Sequence, residues 1–253
     1  MRRALPILSF ALLLGAGSRL PAQTATPPTA SPSRAQKGFG LLTFRARPVA
    51  EPRAGKWRIA KMSGGSGPSI IAERGEALLE RTGTARERSG AFVELTRLAG
   101  QWMKDHPPAK LKVGFKGDLL ELTAEGRRGD SSAPASGHNA LGDLTAFLST
   151  LDLRLDSWGA LAAFTGIAVG TETDGKSLGI AHRDAMTGEL TANLASLREE
   201  QGTPIAEITL RLPRGVTREQ IESRLADRSA AFAQRSGATV AAEVTRLDET
   251  AAP

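Results

Sequence analysis

The chain has no cysteine, which excludes disulfides, thiol catalysis and cysteine-ligated metals. It has no tyrosine and three histidines, His106, His138 and His182. None of the three falls in a His-x-x-x-His spacing, so no metal motif is present and no cofactor is implied. Aromatic residues are 4% of the 253 positions. They do not interleave with a clustered basic excess, so the chain is not expected to bind nucleic acid. No apolar run reaches the roughly 20 residues that a membrane-spanning helix needs. A chain of this length can bury a sizeable core without disulfide staples.

What is present begins at the N-terminus. Arg2 and Arg3 precede an apolar run from Ala4 to Gly17, and Pro21-Ala22-Gln23 follows. This layout predicts a signal peptide over 1–23 and a mature protein that is secreted or periplasmic, with no transmembrane span after cleavage. Loss of Arg2, Arg3 and Arg19 with that segment turns the formal charge of +6 into 30 basic against 27 acidic residues, a net of +3. Residues 24–38, rich in Pro, Ser, Thr and Ala, read as a disordered linker. The stretch from Arg34 to Lys61 is basic and holds one acid, Glu51. Arg45, Arg47, Arg53, Lys56, Arg58 and Lys61 are its candidate partner-binding residues, toward an envelope protein or an anionic surface.

The remaining pattern predicts an α+β fold. Gly40 to Arg47 and Lys56 to Met62 read as strands, and Ile70 to Arg81 as a short helix. Ala91 to Asp105 carries an apolar stripe of Phe92, Leu95, Leu98, Ala99, Trp102 and Met103 at helical spacing. Lys110 to Lys116 alternates, Gly117-Asp118 turns, and Leu119 to Ala124 returns as a partner strand. Leu141, Leu144, Leu148 and Leu151 form a second helical stripe, with Asn139 placed as its N-cap. Leu153 and Leu155 suggest a further strand. Leu161 to Val169 reads as an apolar strand, Thr173 to Lys176 as a turn, and Ser177 to Arg183 as a partner strand. Met186 to Glu200 fits either a helix or a tight turn leading into a strand. Ile205 to Leu212 is a strand. Thr217 and Gln220 form a capping box, Gly237 sits at the C-cap position, and Thr239 to Leu247 closes the chain. The last unit reads as β-α-β, expected to cross over into a parallel or mixed sheet. This grammar predicts one or two small ferredoxin-like α/β sandwich modules, over 39–158 and 159–248, with a tail at 249–253.

Chemistry-bearing residues concentrate around one segment. Val169-Gly170-Thr171, Thr173 to Ser177, Gly179-Ile180, Asp184 and Thr187 to Leu190 resemble the first blade of lactonase-family β-propellers, and the resemblance runs from Gly166 to Leu190. It implies a hydrolase, but no further blade follows, so no catalytic position carries over. Ala168 to Gly175 also resembles the strand and turn before the nucleophile of amidase-signature hydrolases, with Lys176 standing where their serine stands and Ser177 one position later. Ser177, Lys176, His182 and Asp174 are the candidate catalytic residues, because with Asp184 they converge if the hairpin is tight. The order helix, hairpin, helix, strand is similar to that of periplasmic domains of pilus-assembly and secretion-system platform proteins. That resemblance implies a non-enzymatic interaction or assembly protein, possible docking at sheet edges included, and it is the reading the sequence favours. A secreted lactonase-like or amidase-like hydrolase is the alternative.

Overall fold

The computed structural model describes residues 36–248. The expected signal peptide, most of the linker and the tail lie outside the described residues. The elements are β1 (Gly38–Ala46), β2 (Trp57–Gly64), β3 (Ile70–Ile71), β4 (Arg74–Arg81), α1 (Ala85–Ser89), α2 (Ala91–Asp105), β5 (Lys110–Lys116), β6 (Leu119–Glu125), β7 (Gly129–Asp130), α3 (Ala140–Ser149), α4 (Ser157–Ala168), β8 (Arg183–Asp184), β9 (Gly188–Glu189), β10 (Thr191–Glu200), β11 (Thr203–Leu212), α5 (Arg218–Ser236) and β12 (Val240–Asp248). The fold is mixed α+β, five helices packed on a large antiparallel sheet.

Eight strands form that sheet in the order β12-β1-β11-β10-β2-β4-β6-β5, and β3-β7 and β8-β9 are separate two-residue ladders. Helices share one face. Ring contacts join α2 to α3 (Trp102 to Phe147, 5.8 Å) and α4 to α5 (Phe164 to Phe232, 5.3 Å), and Phe164 meets Phe44 of β1 at 5.1 Å. The period of two in β1 follows: Leu42, Phe44 and Ala46 are buried under the helices, while Arg45 points the other way and pairs with Glu200. That opposite face is laced with ion pairs, Arg198 with Glu207 and Arg58 with Glu80 among them.

The sheet is two four-stranded halves. In the first, β4 and β5 run parallel with β6 between them, and α2 connects them. In the second, β11 and β12 run parallel with β1 between them, and α5 connects them. The halves meet at a single ladder pair, Leu197 of β10 with Gly64 of β2. The C-terminal half thus keeps the expected β-α-β crossover and the N-terminal half has one as well, but all ladders of the large sheet are antiparallel, because a third strand fills each crossover. The parallel or mixed sheet expected from the last unit does not form.

Four other expectations change. Residues 70–81, read as a helix, are strands β3 and β4. Their composition favours helix, but Gly75, Ala77, Leu79 and Arg81 alternate with Glu76, Leu78 and Glu80 between buried and half-buried, and tertiary packing overrides propensity. Residues 161–168 of the segment 161–169, read as a strand, belong to helix α4, and Val169 is its C-cap. This helix is buried nearly all round, so it lacks the polar stripe that marks a surface helix. Leu153 and Leu155 are buried, but Leu153 makes only one isolated bridge, to Trp57. Ser177 to His182 is a turn, followed by the two-residue ladder β8-β9. Of the two options for 186–200, the turn and strand is the one formed.

Candidate functional site

Where β10 and β2 part company, the N-terminus of α3 closes the gap. Asn139 is its N-cap, and its Oδ1 accepts from the backbone N–H of Leu141 and Gly142 at 2.9 and 3.3 Å. Its Nδ2 donates to Asn193 Oδ1 and to the Leu194 carbonyl of β10, at 2.8 and 2.9 Å. Asn193 Nδ2 in turn donates to the Ile70 carbonyl at 3.2 Å. One side chain therefore caps a helix and stitches it to an open strand edge. The cap is readable from the sequence; the stitch is not, because its partners lie more than fifty positions away.

Beside the cap, His138 Nε2 lies 2.6 Å from Asp143 Oδ2. Asp143 is 1% exposed, and burial pushes its carboxyl above the usual aspartate range, against the opposing pull of His138 and His106. A paired strand of loop holds His138 there. Arg127 N–H donates to the His138 carbonyl at 2.9 Å, and His138 N–H donates to the Arg127 carbonyl at 2.8 Å. Gly126 permits this approach, since a Cβ there would sit 2.1 Å from the His138 carbonyl oxygen. On one side of His138 opens a groove of about 410 Å³, lined by Pro108, Lys110, Glu125, Gly126, Arg127 and Gly137. On the other is a smaller cavity of about 90 Å³ that includes Asp143, Asn139, Asn193, Ser131, Thr171 and Thr173. The hydroxyl of Ser131 is fully buried without a hydrogen-bond partner among the described residues.

The residues singled out in the sequence lie elsewhere. Ser177 Oγ donates to Glu172 Oε1 at 2.8 Å. Asp174 Oδ1 accepts from the Lys176 N–H at 3.1 Å, which makes a local turn. His182 Nε2 lies 3.0 Å from the Arg214 carbonyl. No hydrogen bond joins Ser177 to His182 among the described residues, although a nucleophile needs its base within reach. His182 and Asp174 do line one shallow pocket with Arg183 and Glu189. The basic stretch is divided. Arg45 pairs with Glu200 at 3.5 Å, and Arg58 with Glu80 and Asp156 at 2.9 and 3.3 Å. Arg47, Arg53, Lys56 and Lys61 are exposed. Among the described residues, no group of three or more His, Asp and Glu is arranged to hold a metal ion.

A third feature is the outer edge of β5, which has a strand partner on one side only. Phe115 is 65% exposed and stacks on Phe92 of α2 at 4.9 Å, and Val93, the next residue of α2, is 70% exposed. Arg97 and Lys104 continue the exposed face of α2, and Lys110 starts the strand. None of these three cations forms an ion pair among the described residues. Lys112 and Lys116, on the same strand, are held by Glu125 and by Glu121 and Glu76. No helix of the described residues is long and apolar enough to cross a membrane. A scan against protein-family models finds no match for this chain, and a search of curated proteins finds none either.

Proposed function

We propose that this chain is a non-enzymatic interaction protein that works outside the cytoplasm, and that it takes an extended, acidic segment of a partner protein along the β5 edge. The observation that carries this reading is the exposed Phe115, stacked on Phe92, on a strand edge without a strand partner. An exposed apolar edge strand is a hazard unless something covers it. Strand addition is the mode such an edge supports, with backbone bonds for affinity and alternate side chains for specificity. Lys110, Arg97 and Lys104 make an acidic segment the complementary one. The work outside the cytoplasm rests on the leader-like N-terminus alone. The matching strand order of the two halves supports reading them as two ferredoxin-like modules, the second with its last strand moved to the front of the chain.

The test is binding of a labelled peptide alternating Glu and Val, compared with one alternating Lys and Val. The acidic peptide is expected to bind, and Phe115→Ser to weaken it by about tenfold or more, as loss of a central aromatic anchor does. Equal binding of both peptides, or no change in Phe115→Ser, overturns the reading. Fractionation of cells expressing the full chain tests the address, and retention in the cytoplasm would refute it.

A further inference from the structure

We infer that the groove lined by Lys110, Arg127 and His138 binds the oxyanion of a small ligand, a phosphate or sulfate group, and that Asp143 is a positioning residue that holds His138 to receive it.

The ladders bring these side chains together from three separate stretches of chain. Lys110, at the start of β5, stands opposite Glu125 of β6. Two residues beyond Glu125, Arg127 pairs with His138 through both backbone bonds. Residues that exchange two such bonds across a pair project their side chains from the same side. Glu125 is the only acid lining the groove. Its charge is already met by Lys112, whose Nζ lies 2.6 Å away. Lys110 and Arg127 form no ion pair among the described residues, and the Arg127 guanidinium reaches only the Ala135 carbonyl, at 3.4 Å. Two cations therefore converge on the rim of one groove with a single carboxylate, Glu125, which already holds Lys112.

His138 supplies the third donor. Nε2 is taken by Asp143, which leaves Nδ1 for a ligand. A histidine buried only for packing would need neither Lys110 nor Arg127 beside it. Point charge, planar fork and imidazole nitrogen together suit an oxyanion with several acceptor oxygens. The volume of about 410 Å³ falls within the range of small-molecule sites. The charged groups around His138 and Asp143 are His106 from the end of α2, Lys110 from β5, Glu125 from β6, and Arg127.

Sulfate is the probe for the test, because its charge is constant where histidine titrates, between about pH 5 and 8. The full chain is titrated with sodium sulfate against sodium chloride of equal ionic strength, and the His138 ring resonances are followed by NMR. Saturable shifts are expected, with affinity rising toward acid pH. Arg127→Gln and Lys110→Gln are each expected to weaken binding by about tenfold with thermal stability unchanged, since both side chains are exposed. Asp143→Asn is expected to weaken binding and flatten its pH dependence, whereas Phe115→Ser leaves it intact. Binding that is unchanged in Arg127→Gln and Lys110→Gln, or that shows no dependence on pH, overturns the assignment. Failure here leaves the β5 edge reading standing, because that edge is tested by a different ligand and a different variant.

Discussion

The two halves of the sheet have the same plan and different surfaces. In each, two parallel strands flank an antiparallel one, and a helix connects the outer pair. The C-terminal half ends on β12 and α5, where Arg218 pairs with Glu222, Arg224 with Asp227, and Arg246 with Asp248, while Arg228 and Arg235 form no ion pair among the described residues. No large apolar residue is exposed on these two elements among the described residues. The N-terminal half ends on β5 and α2, where Phe115 and Val93 face solvent. Topology sets where an edge falls; side chains decide whether that edge is closed or open. The two edges therefore serve as each other's control.

The strongest way to break the comparison is to unfold one half without the other. Phe164 joins β1 and α5, and Phe147 joins α3 to α2. Phe164→Ala and Phe147→Ala are each expected to cost about 3–5 kcal/mol, the usual loss for a large buried aromatic. Chemical denaturation followed by tryptophan fluorescence and by far-UV circular dichroism should give coincident single transitions for both variants. Two separate transitions would show that the halves are independent cores and that the single helical layer does not couple them.

A smaller effect is expected at the seam. Asn139→Ala removes a helix cap and both bonds to β10, and leaves Asn193 Oδ1 and the Leu194 carbonyl without their donor. A loss of about 2 kcal/mol follows from cap and desolvation together. Asn139→Asp keeps the cap but cannot donate to β10, so it should recover only part of that loss in the same denaturation assay. Full recovery would show that the stitch to β10 contributes nothing.

The smallest effect sharpens the contrast between helices. Thr217 and Thr84 both open capping boxes, but α5 has 19 residues and packs on β12, whereas α1 has 5 and buries none. Thr217→Ala should cost about 1 kcal/mol, and Thr84→Ala clearly less, because little folded structure depends on that turn. Equal losses in thermal denaturation would mean that α1 supports the β5 edge more than its exposure suggests.

The sequence revealed the fold unevenly, for physical reasons. The stripe of α2, the hairpin at Gly117 and the cap of α3 were all readable, since each rests on residues a few positions apart. The strands at 70–81 and the helical turns at 161–168 defy local patterning for opposite reasons. One has helix-forming residues in a strand, and the other is buried on so many sides that its period vanishes. The candidate groove was hardly visible. Nothing near His138 in the chain announces Lys110, Arg127 or Asp143 as its neighbours in one site. The residues between 172 and 184 drew attention because they are polar and close in sequence, yet their hydrogen bonds are mostly those of local turns.

By itself, then, the sequence determined the local events: the capping box at Thr217 and Gln220, the left-handed turn of the chain at Gly237 (φ 72°), the two amphipathic helices, and the class α+β. These depend on backbone sterics and on side chains within one or two turns of each other. Tertiary structure alone decided that β1 would lie between β11 and β12, that the halves would meet at one pair, and that a histidine, an arginine and a lysine from three segments would face one groove. Those outcomes depend on which edges find partners and which surfaces are buried against each other, and such pairings link residues up to two hundred positions apart.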